Sequence, residues 1–509
     1  MDQILVLDYG SQYNALIVRR IKDLGVYSLL LPNTITAEEI KKMSGVKGII
    51  LSGGPNSVND PLAPSIDIKI LSLGIPVLGI CYGMQLIVKV LGGEVASSKI
   101  REYGNTSCLF KTSSPLFQGL NTDSIVYMSH GDTVVKTPEG FNDIASSKST
   151  AFAGVQKDNI FAIQFHPEVT NTVQGKGILS NFVFNICHAN KEWSIDNYIE
   201  QKTKAIKKEV GDKKVLLGIS GGVDSAVTAV LLHKAIGNQL TCLFIDHGLL
   251  RKNEAEQVNI AFKEKLGIPV KCIDASAVFL SRLQGVTDPE TKRKIIGKTF
   301  IDVFKEEAKK LGDDFTYLGQ GTLYTDKVES GQGGTSVVIK SHHNVGGLPK
   351  ELGFKLIEPL DELYKDEVRE LGKKLGLDEA FVSRQPFPGP GLAIRIIGDI
   401  TPEKLSILRE ADAILLDEVK KAGLDKKIWQ YFCVLTSDRS VGVMGDQRSY
   451  MHTLAIRAVT SVDGMTADFY HFDMDFLSKV STRIINEVKG VNRLVYDITS
   501  KPPSTIEWE

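Results

Sequence analysis

Residues 76–90 read Pro76-Val-Leu-Gly79-Ile-Cys81-Tyr82-Gly83-Met-Gln85-Leu-Ile-Val-Lys-Val90. An apolar run enters a cysteine with glycines at i−2 and i+2, and helical apolar spacing follows. The pattern predicts strand, sharp turn, helix, since small neighbours let the chain turn tightly and present the sulfur. At a helix N-terminus the dipole and the free amides favour thiolate over thiol. A buried structural cysteine is the other reading that this stretch alone allows.

Working outward, residues 4–7, 48–51, 124–128 and 160–165 read as further strands, and residues 16–24 carry helical spacing. The alternation predicts an α/β unit with a sheet at least partly parallel, closing near Lys191. Two features of this segment suit a thiol nucleophile. In Ala162-Ile-Gln-Phe-His166-Pro-Glu168 a strand ends in a candidate base, with a carboxylate two residues on to orient it. The turn Gly53-Gly54-Pro55 follows the strand at 48–51, and its backbone amides can stabilise an oxyanion.

LSGGP, GICYGMQL and FHPE stand in this order here, and with them the first 190 residues resemble class I glutamine amidotransferases. The resemblance implies Cys81 as nucleophile, His166 as base and Glu168 as its orienter. It also implies the Gly54 and Tyr82 amides for the oxyanion. Gln85 and Ser129-His130-Gly131-Asp132 would shape the glutamine pocket, and the products would be ammonia and glutamate.

A second α/β alternation starts at Val215, after a lysine-rich stretch at 199–214 that reads as a solvated helix. Strands are expected at 215–219, 240–245, 269–273 and 315–318. Helices are expected at 226–235, 254–266, 294–311 and 366–375. The first strand runs into Ser220-Gly221-Gly222-Val223-Asp224-Ser225-Ala226. A glycine loop between strand and helix aims amides at an anion, with the helix N-terminus adding its field. It is neither a Walker A loop nor a G-x-G-x-x-G dinucleotide loop.

This loop resembles that of the ATP pyrophosphatase family, which activates an oxygen by adenylylation and releases pyrophosphate. Ala226 stands where the family commonly has another serine. Asp246-His247-Gly248 would end the next strand near the nucleotide, with His247 where Asn is frequent. Asp224 is the one candidate for a metal contact, and Mg²⁺ with ATP is implied by the resemblance alone.

Arg384-Gln-Pro-Phe-Pro-Gly-Pro-Gly391 packs three prolines and two glycines into eight residues. It can continue neither a helix nor a central strand, so a boundary is placed there. The remainder mixes helices (402–422, 475–488) with β-like runs (430–435, 451–459, 493–498), an α+β pattern. IKSHHNVGGLP, RQPFPGPGLAIR, SVGVMGDQR and YDITSKPPSTIEWE resemble the GMP synthetase family, and the likeness runs over essentially the whole chain.

That likeness implies three domains: amidotransferase at 1–190, ATP pyrophosphatase at 191–384, and a dimerisation and xanthosine monophosphate (XMP) binding domain at 385–509. XMP contacts would come from Arg293, Lys501, Thr505 and Glu507, and residues 340–349 would belong to a lid. A homodimer is implied. Arg395 and Arg448 suit phosphate or interface contacts, with a surface salt bridge equally compatible. Thr325 and Lys327 depart from the family's usual residues. In the tail, Ile506 and Trp508 alternate with polar residues, which predicts a packed strand.

Composition sets outer limits. The chain has 509 residues, 60 Lys plus Arg against 61 Asp plus Glu, and a formal charge of −1. That balance carries no basic excess for coating nucleic acid and no acidic tail. Six scattered cysteines do not form a disulfide framework. No stretch suits membrane insertion, and the first residues lack a basic leader. The expectation is a soluble cytoplasmic enzyme. Its rivals are a glutamine-dependent NAD synthetase, whose glutaminase uses a different nucleophile set, a tRNA-thiolating enzyme, which would want paired cysteines or a basic face, and a non-catalytic sensor.

Overall fold

The computed structural model describes residues 1–312, 314–324, 326, 353–461 and 466–509. Met1–Tyr198 form one compact unit; Ile199–Leu323 with residues 353–461 and 466–509 form another. The expected lid at 340–349 and the departures at 325 and 327 lie outside the described residues.

The first unit is built on nine strands: β1 (Gln3–Asp8), β2 (Tyr27–Pro32), β3 (Val46–Leu51), β4 (Val77–Ile80), β5 (Glu94–Phe110), β6 (Asp123–Lys136), β7 (Asn142–Ser147), β8 (Gly154–Lys157) and β9 (Ile160–Ile163). They lie in the order β2-β1-β3-β4-β9-β8-β7-β5-β6. The first five are mutually parallel. From β9 onward each pair is antiparallel. Residues 4–7 of β1 and all of β4 are buried. Parallel strands covered on both faces read as unbroken apolar runs, which is why they stand out in the sequence.

The antiparallel extension does not stand out. β5, EVASSKIREYGNTSCLF, is largely polar, and β6 runs on past the apolar alternation at 124–128 to Lys136. Neither β2, β7 nor β8 is expected from the sequence either. These strands draw their order from neighbours more than from their own residues.

In the second unit β10 (Lys214–Ile219), β11 (Leu240–Asp246), β12 (Val270–Asp274), β13 (Phe315–Gly319) and β14 (Lys355–Ile357) form a sheet in the order β12-β11-β10-β13-β14. Every pairing in it is parallel. The lysine-rich stretch is helical, within Ile195–Val210, and the helix expected at 294–311 starts earlier, at Pro289, capped by the Asp288 carboxylate on the Thr291 amide.

Residues 384–390 carry neither helix nor strand, as their prolines demand. Beyond them, β15 (Gln430–Met444) and β16 (Gln447–Thr460) make a long antiparallel hairpin, extended by β17 (Asp468–Phe469) and, parallel to β16, β18 (Val491–Asp497). Helices Pro402–Lys421 and Met474–Glu487 pack on this sheet. One apolar core joins Leu216 and Leu243 through Phe304 to Leu408, Leu435 and Ile456.

The C-terminal tail corrects one expectation. Its ladder is a single bridge between Ala467 and Lys501, and turns follow. Pro502 and Pro503 lack the amide hydrogens that a strand would need there. Ile506 is packed against Phe432 and Val434 nonetheless, while Trp508 is 38% exposed and donates its indole N–H to Asp497. All six cysteines are free thiols. Among the described residues, no helix is long and apolar enough to cross a membrane.

Candidate functional site

Cys81 follows β4 directly and caps the helix Tyr82–Val90, with φ 53° and ψ −104°. A non-glycine residue in that region is strained, as expected of a nucleophile elbow. The flanking glycines are dictated by space. A Cβ on Gly79 would lie 2.7 Å from the Gly83 carbonyl oxygen, and one on Gly83 would lie 2.3 Å from that of Leu51. The Cys81 amide is anchored on the Ile163 carbonyl at 2.8 Å, which ties the elbow to the end of β9.

β9 leads three residues later to His166. Its Nδ1 is 2.7 Å from Oε1 of Glu168, both side chains being buried. Burial alone would lower the imidazole's pKa. The Glu168 carboxylate, the hydrogen bonds to Cys81 and Glu168, and the Cys81 charge outweigh it and hold His166 at about 10. The arrangement therefore sets an imidazolium beside the Cys81 sulfur, the partner that a Cys–His nucleophile needs. The Tyr13 ring lies edge-on to His166 with centroids 5.3 Å apart, and Thr172 Oγ1 donates to the His166 carbonyl at 2.5 Å.

The expected oxyanion donors sit beside this pair. Gly54 must be glycine, because a Cβ would meet the Tyr9 carbonyl oxygen at 2.4 Å and Cγ of Tyr82 at 3.4 Å. Among the described residues neither the Gly54 amide nor the Tyr82 amide has a protein acceptor. Gln85 donates to the Asp132 carbonyl at 2.8 Å and to Gln164 Oε1 at 3.2 Å. The Asp132 carboxylate accepts from Ser57.

His130 is turned into the protein: Nδ1 lies 2.9 Å from the Asp132 carbonyl and Nε2 3.1 Å from Glu102. Burial lowers its pKa against the pull of Asp132 and Glu102. Glu102 also accepts from Ser147, Ser149 and Thr150. Burial works to raise the Glu102 pKa, but these hydroxyls and His130 hold it below the usual range. Glu102 and Gln164 are absent from the sequence-level site. Glu102 lies in a polar strand with no motif, whereas Gln164 stands two residues before His166, just past the end of β9.

In the second unit the loop after β10 turns through Gly221 at φ +78°, and Gly222 caps the helix Val223–Ile236. Ser220 and Ser225 hydroxyls lie 3.2 Å apart, and Ser225 Oγ accepts from the Ser220 amide at 3.3 Å. The first-turn amides of this helix, including those of Val223 and Asp224, point out of its N-terminus, the setting that attracts a phosphate. Ala226 N instead closes the first turn on the Gly222 carbonyl. Both carboxylate oxygens of Asp224 meet Lys365 Nζ, at 2.5 and 2.6 Å. Arg384 reaches the Gly221 carbonyl at 3.4 Å. Asp246, at the end of the neighbouring β11, accepts from the Gly248 amide at 2.8 Å. His247 is buried, and burial pushes its pKa down to about 4.

Three of the four expected XMP residues, Lys501, Thr505 and Glu507, share the tail, which three buried cations fasten; Arg293 stands on the helix Pro289–Lys310. Arg395 holds Glu507 with two bonds, Nη2–Oε1 at 2.8 Å and Nε–Oε2 at 3.1 Å, and Gln430 adds a third at 2.9 Å. Arg395 is fully buried over the Phe432 ring. Its salt bridge is therefore internal, which corrects the surface reading. Arg457 donates to the carbonyls of Thr499 and Thr505 at 2.5 and 3.1 Å. Lys292 pairs with Glu509, and the adjacent Arg293 reaches the Glu509 backbone carbonyl. Thr505 Oγ1 donates to the Glu507 carbonyl, and the backbone of Lys501 pairs in both directions with Ala467. Arg448 is exposed on the hairpin β15–β16, opposite Val443.

Fold and site together define a class I glutamine amidotransferase joined to an ATP-pyrophosphatase unit. The glutamine amidotransferase class-I family matches residues 5–186, the NAD synthase family residues 195–297, and the GMP synthase C terminal domain residues 417–508. Over 511 aligned residues, covering all of this chain and 98% of each relative, it is 59% identical to the glutamine-hydrolysing GMP synthases of Limosilactobacillus reuteri and Lactobacillus gasseri. The chain belongs to the glutamine-hydrolysing GMP synthase family.

Proposed function

We propose that the chain aminates XMP to GMP with ammonia from glutamine, using Cys81, His166 and Glu168 for hydrolysis and the loop Ser220 to Ala226 for ATP. The observation that carries the reading is the His166–Glu168 pair at 2.7 Å beside the Cys81 elbow. The Cys81 thiolate attacks the glutamine amide carbon, and the oxyanion forms against the Gly54 and Tyr82 amides. His166 gives its proton to the leaving nitrogen, so ammonia departs and a thioester remains. His166 then takes a proton from water as it attacks the thioester, and glutamate leaves. Gln85 and Asp132 form the glutamine pocket wall, and His130, turned inward, braces the Asp132 backbone.

At the second site the XMP C2 oxygen attacks the α-phosphorus of ATP and displaces diphosphate. Ammonia then displaces AMP at C2, and GMP results. First-turn amides of the loop, those of Val223 and Asp224 among them, hold the phosphates, and Asp246 lies at the end of the adjoining strand. Lys501 supplies charge for the XMP phosphate, with Arg293, Thr505 and Glu507 as further contacts.

Mg²⁺ arriving with ATP would neutralise phosphate charge. Such an ion needs only one or two carboxylates besides the phosphates, which fits Asp224 at the loop. Among the described residues no group of three or more His, Cys, Asp or Glu side chains could hold a metal alone. The assignment divides the chain at 190 and 384, with residues 385–509 also forming a homodimer, in the cytoplasm. Supplying glutamine, ATP and XMP should yield GMP, AMP, diphosphate and glutamate in equal amounts. ATP hydrolysis without GMP would overturn the reading.

A further inference from the structure

The geometry points to Gln164 as a further catalytic residue, an N–H donor that holds the nucleophilic sulfur in place and stabilises its negative charge. The inference rests on the reading of Cys81 as nucleophile. Gln164 Nε2 lies 3.6 Å from Cys81 Sγ, within reach of a donor to a large, polarisable acceptor. The residue is fully buried. A buried amide without partners is costly, so what satisfies it matters.

Which end of the amide faces the sulfur is decided by the neighbours. The Asp132 carbonyl can only accept, so Gln85 must present its nitrogen there, at 2.8 Å. The same nitrogen has a second hydrogen, and it faces Gln164 at 3.2 Å. Gln164 must therefore offer oxygen to Gln85, which leaves its nitrogen toward Cys81. Carbonyl, amide and amide make a short polarised chain with its positive end at the sulfur.

The backbone fixes this placement. Ile80 and Ile163 pair at the ends of the adjacent parallel strands β4 and β9, and Cys81 and Gln164 are the first residues beyond them. The Gln164 amide is itself anchored on the Ala153 carbonyl at 2.9 Å. Two residues on, the chain brings His166 to the sulfur as well. The sulfur thus meets a charged donor, His166, and a neutral one, Gln164, while the Ser129 carbonyl lies 3.6 Å away. The titratable groups around it are His166, with Glu168, Tyr13 and Tyr127 behind the ring.

Gln164→Met keeps the volume and removes the donor. Peptide-resolved iodoacetamide labelling of Cys81 in the full chain should show its pH midpoint moved up by about half a unit or more. Glutaminase kcat should fall about tenfold with KM for glutamine changed less than twofold, and ammonia-dependent synthesis should be untouched. A parental labelling profile with parental kcat overturns the inference. Should Gln164→Met fail to fold, Gln85→Glu tests the same chain: its carboxylate demands a donor from Gln164 and turns the Gln164 oxygen to the sulfur. The same upward midpoint is then expected, and an unmoved one overturns the inference. Labelling needs no turnover, so this outcome is separate from whether Cys81 hydrolyses glutamine.

Discussion

The guanidinium of Arg395 grips the carboxylate of Glu507 with two hydrogen bonds of 2.8 and 3.1 Å. Removing one partner of a buried pair leaves the other uncompensated, at a cost of about 3 kcal/mol. Arg395→Met should lower the stability of the second unit by that order in urea unfolding followed by tryptophan fluorescence. Because the freed tail carries Lys501, Thr505 and Glu507, KM for XMP should rise more than kcat falls. Arg395→Lys should not restore it, since an ammonium cannot make the paired contact.

Cys81→Ala should abolish GMP formation from glutamine and leave formation from ammonium salts within about twofold. His166→Ala should lower glutamine-dependent turnover by about 10²–10⁴-fold, the range for loss of a positioned proton carrier. The check is GMP formed per unit time with each nitrogen source. Equal loss from both sources would contradict the division of labour.

The raised pKa of His166 predicts a pH signature for Glu168→Gln. A folded-state value of about 10, above the ordinary 6.5, means that the imidazolium stabilises the fold fully below about pH 6.5. That contribution fades as pH rises through about 10. The melting temperature of Glu168→Gln should therefore trail the parent most near pH 6 and approach it near pH 10. A gap that widens with pH would refute the charged pair.

Asp224→Ala should stop GMP formation from either nitrogen source and end diphosphate release. The Asp224–Lys365 pair is partly exposed, 33% and 47%, so its loss should change stability by less than about 1 kcal/mol. Activity and melting measured on one preparation would then separate a catalytic failure from a folding one.

How much of this was legible depends on where order originates. The strand–cysteine–helix turn and the loop at 220–226 carry their own signals, because local sterics select glycine there and burial selects apolar runs. β5 could not be seen, since EVASSKIREYGNTSCLF has neither period, and its pairing with β6 and β7 supplies the order. Glu102 went unread with it. Arg395, Arg457 and Lys292 are buried through partners 40 to more than 200 residues away. A single sequence does not show such pairings, so Arg395 stood open between a phosphate or interface contact and a surface salt bridge.

The same steric logic gives the last prediction. Gly83 sits against β3, where a Cβ would come 2.3 Å from the Leu51 carbonyl oxygen and 2.7 Å from the Leu51 side chain. The backbone oxygen cannot move without breaking the parallel ladder, so Gly83→Ala must push the helix Tyr82–Val90 outward. Such overpacking costs about 1–3 kcal/mol. A shift of even a fraction of an ångström also withdraws the Tyr82 amide and the sulfur from their line-up with His166. Glutamine-dependent turnover should drop at least tenfold while the ammonia-dependent rate holds, and Gly92→Ala on the same preparation gives the contrast. A Cβ at Gly92 meets nothing within 4 Å, yet its φ is +90°, so that variant carries backbone strain without displacing the elbow. Equal loss of glutaminase in both variants would mean that general destabilisation, not the close approach at Leu51, governs the site.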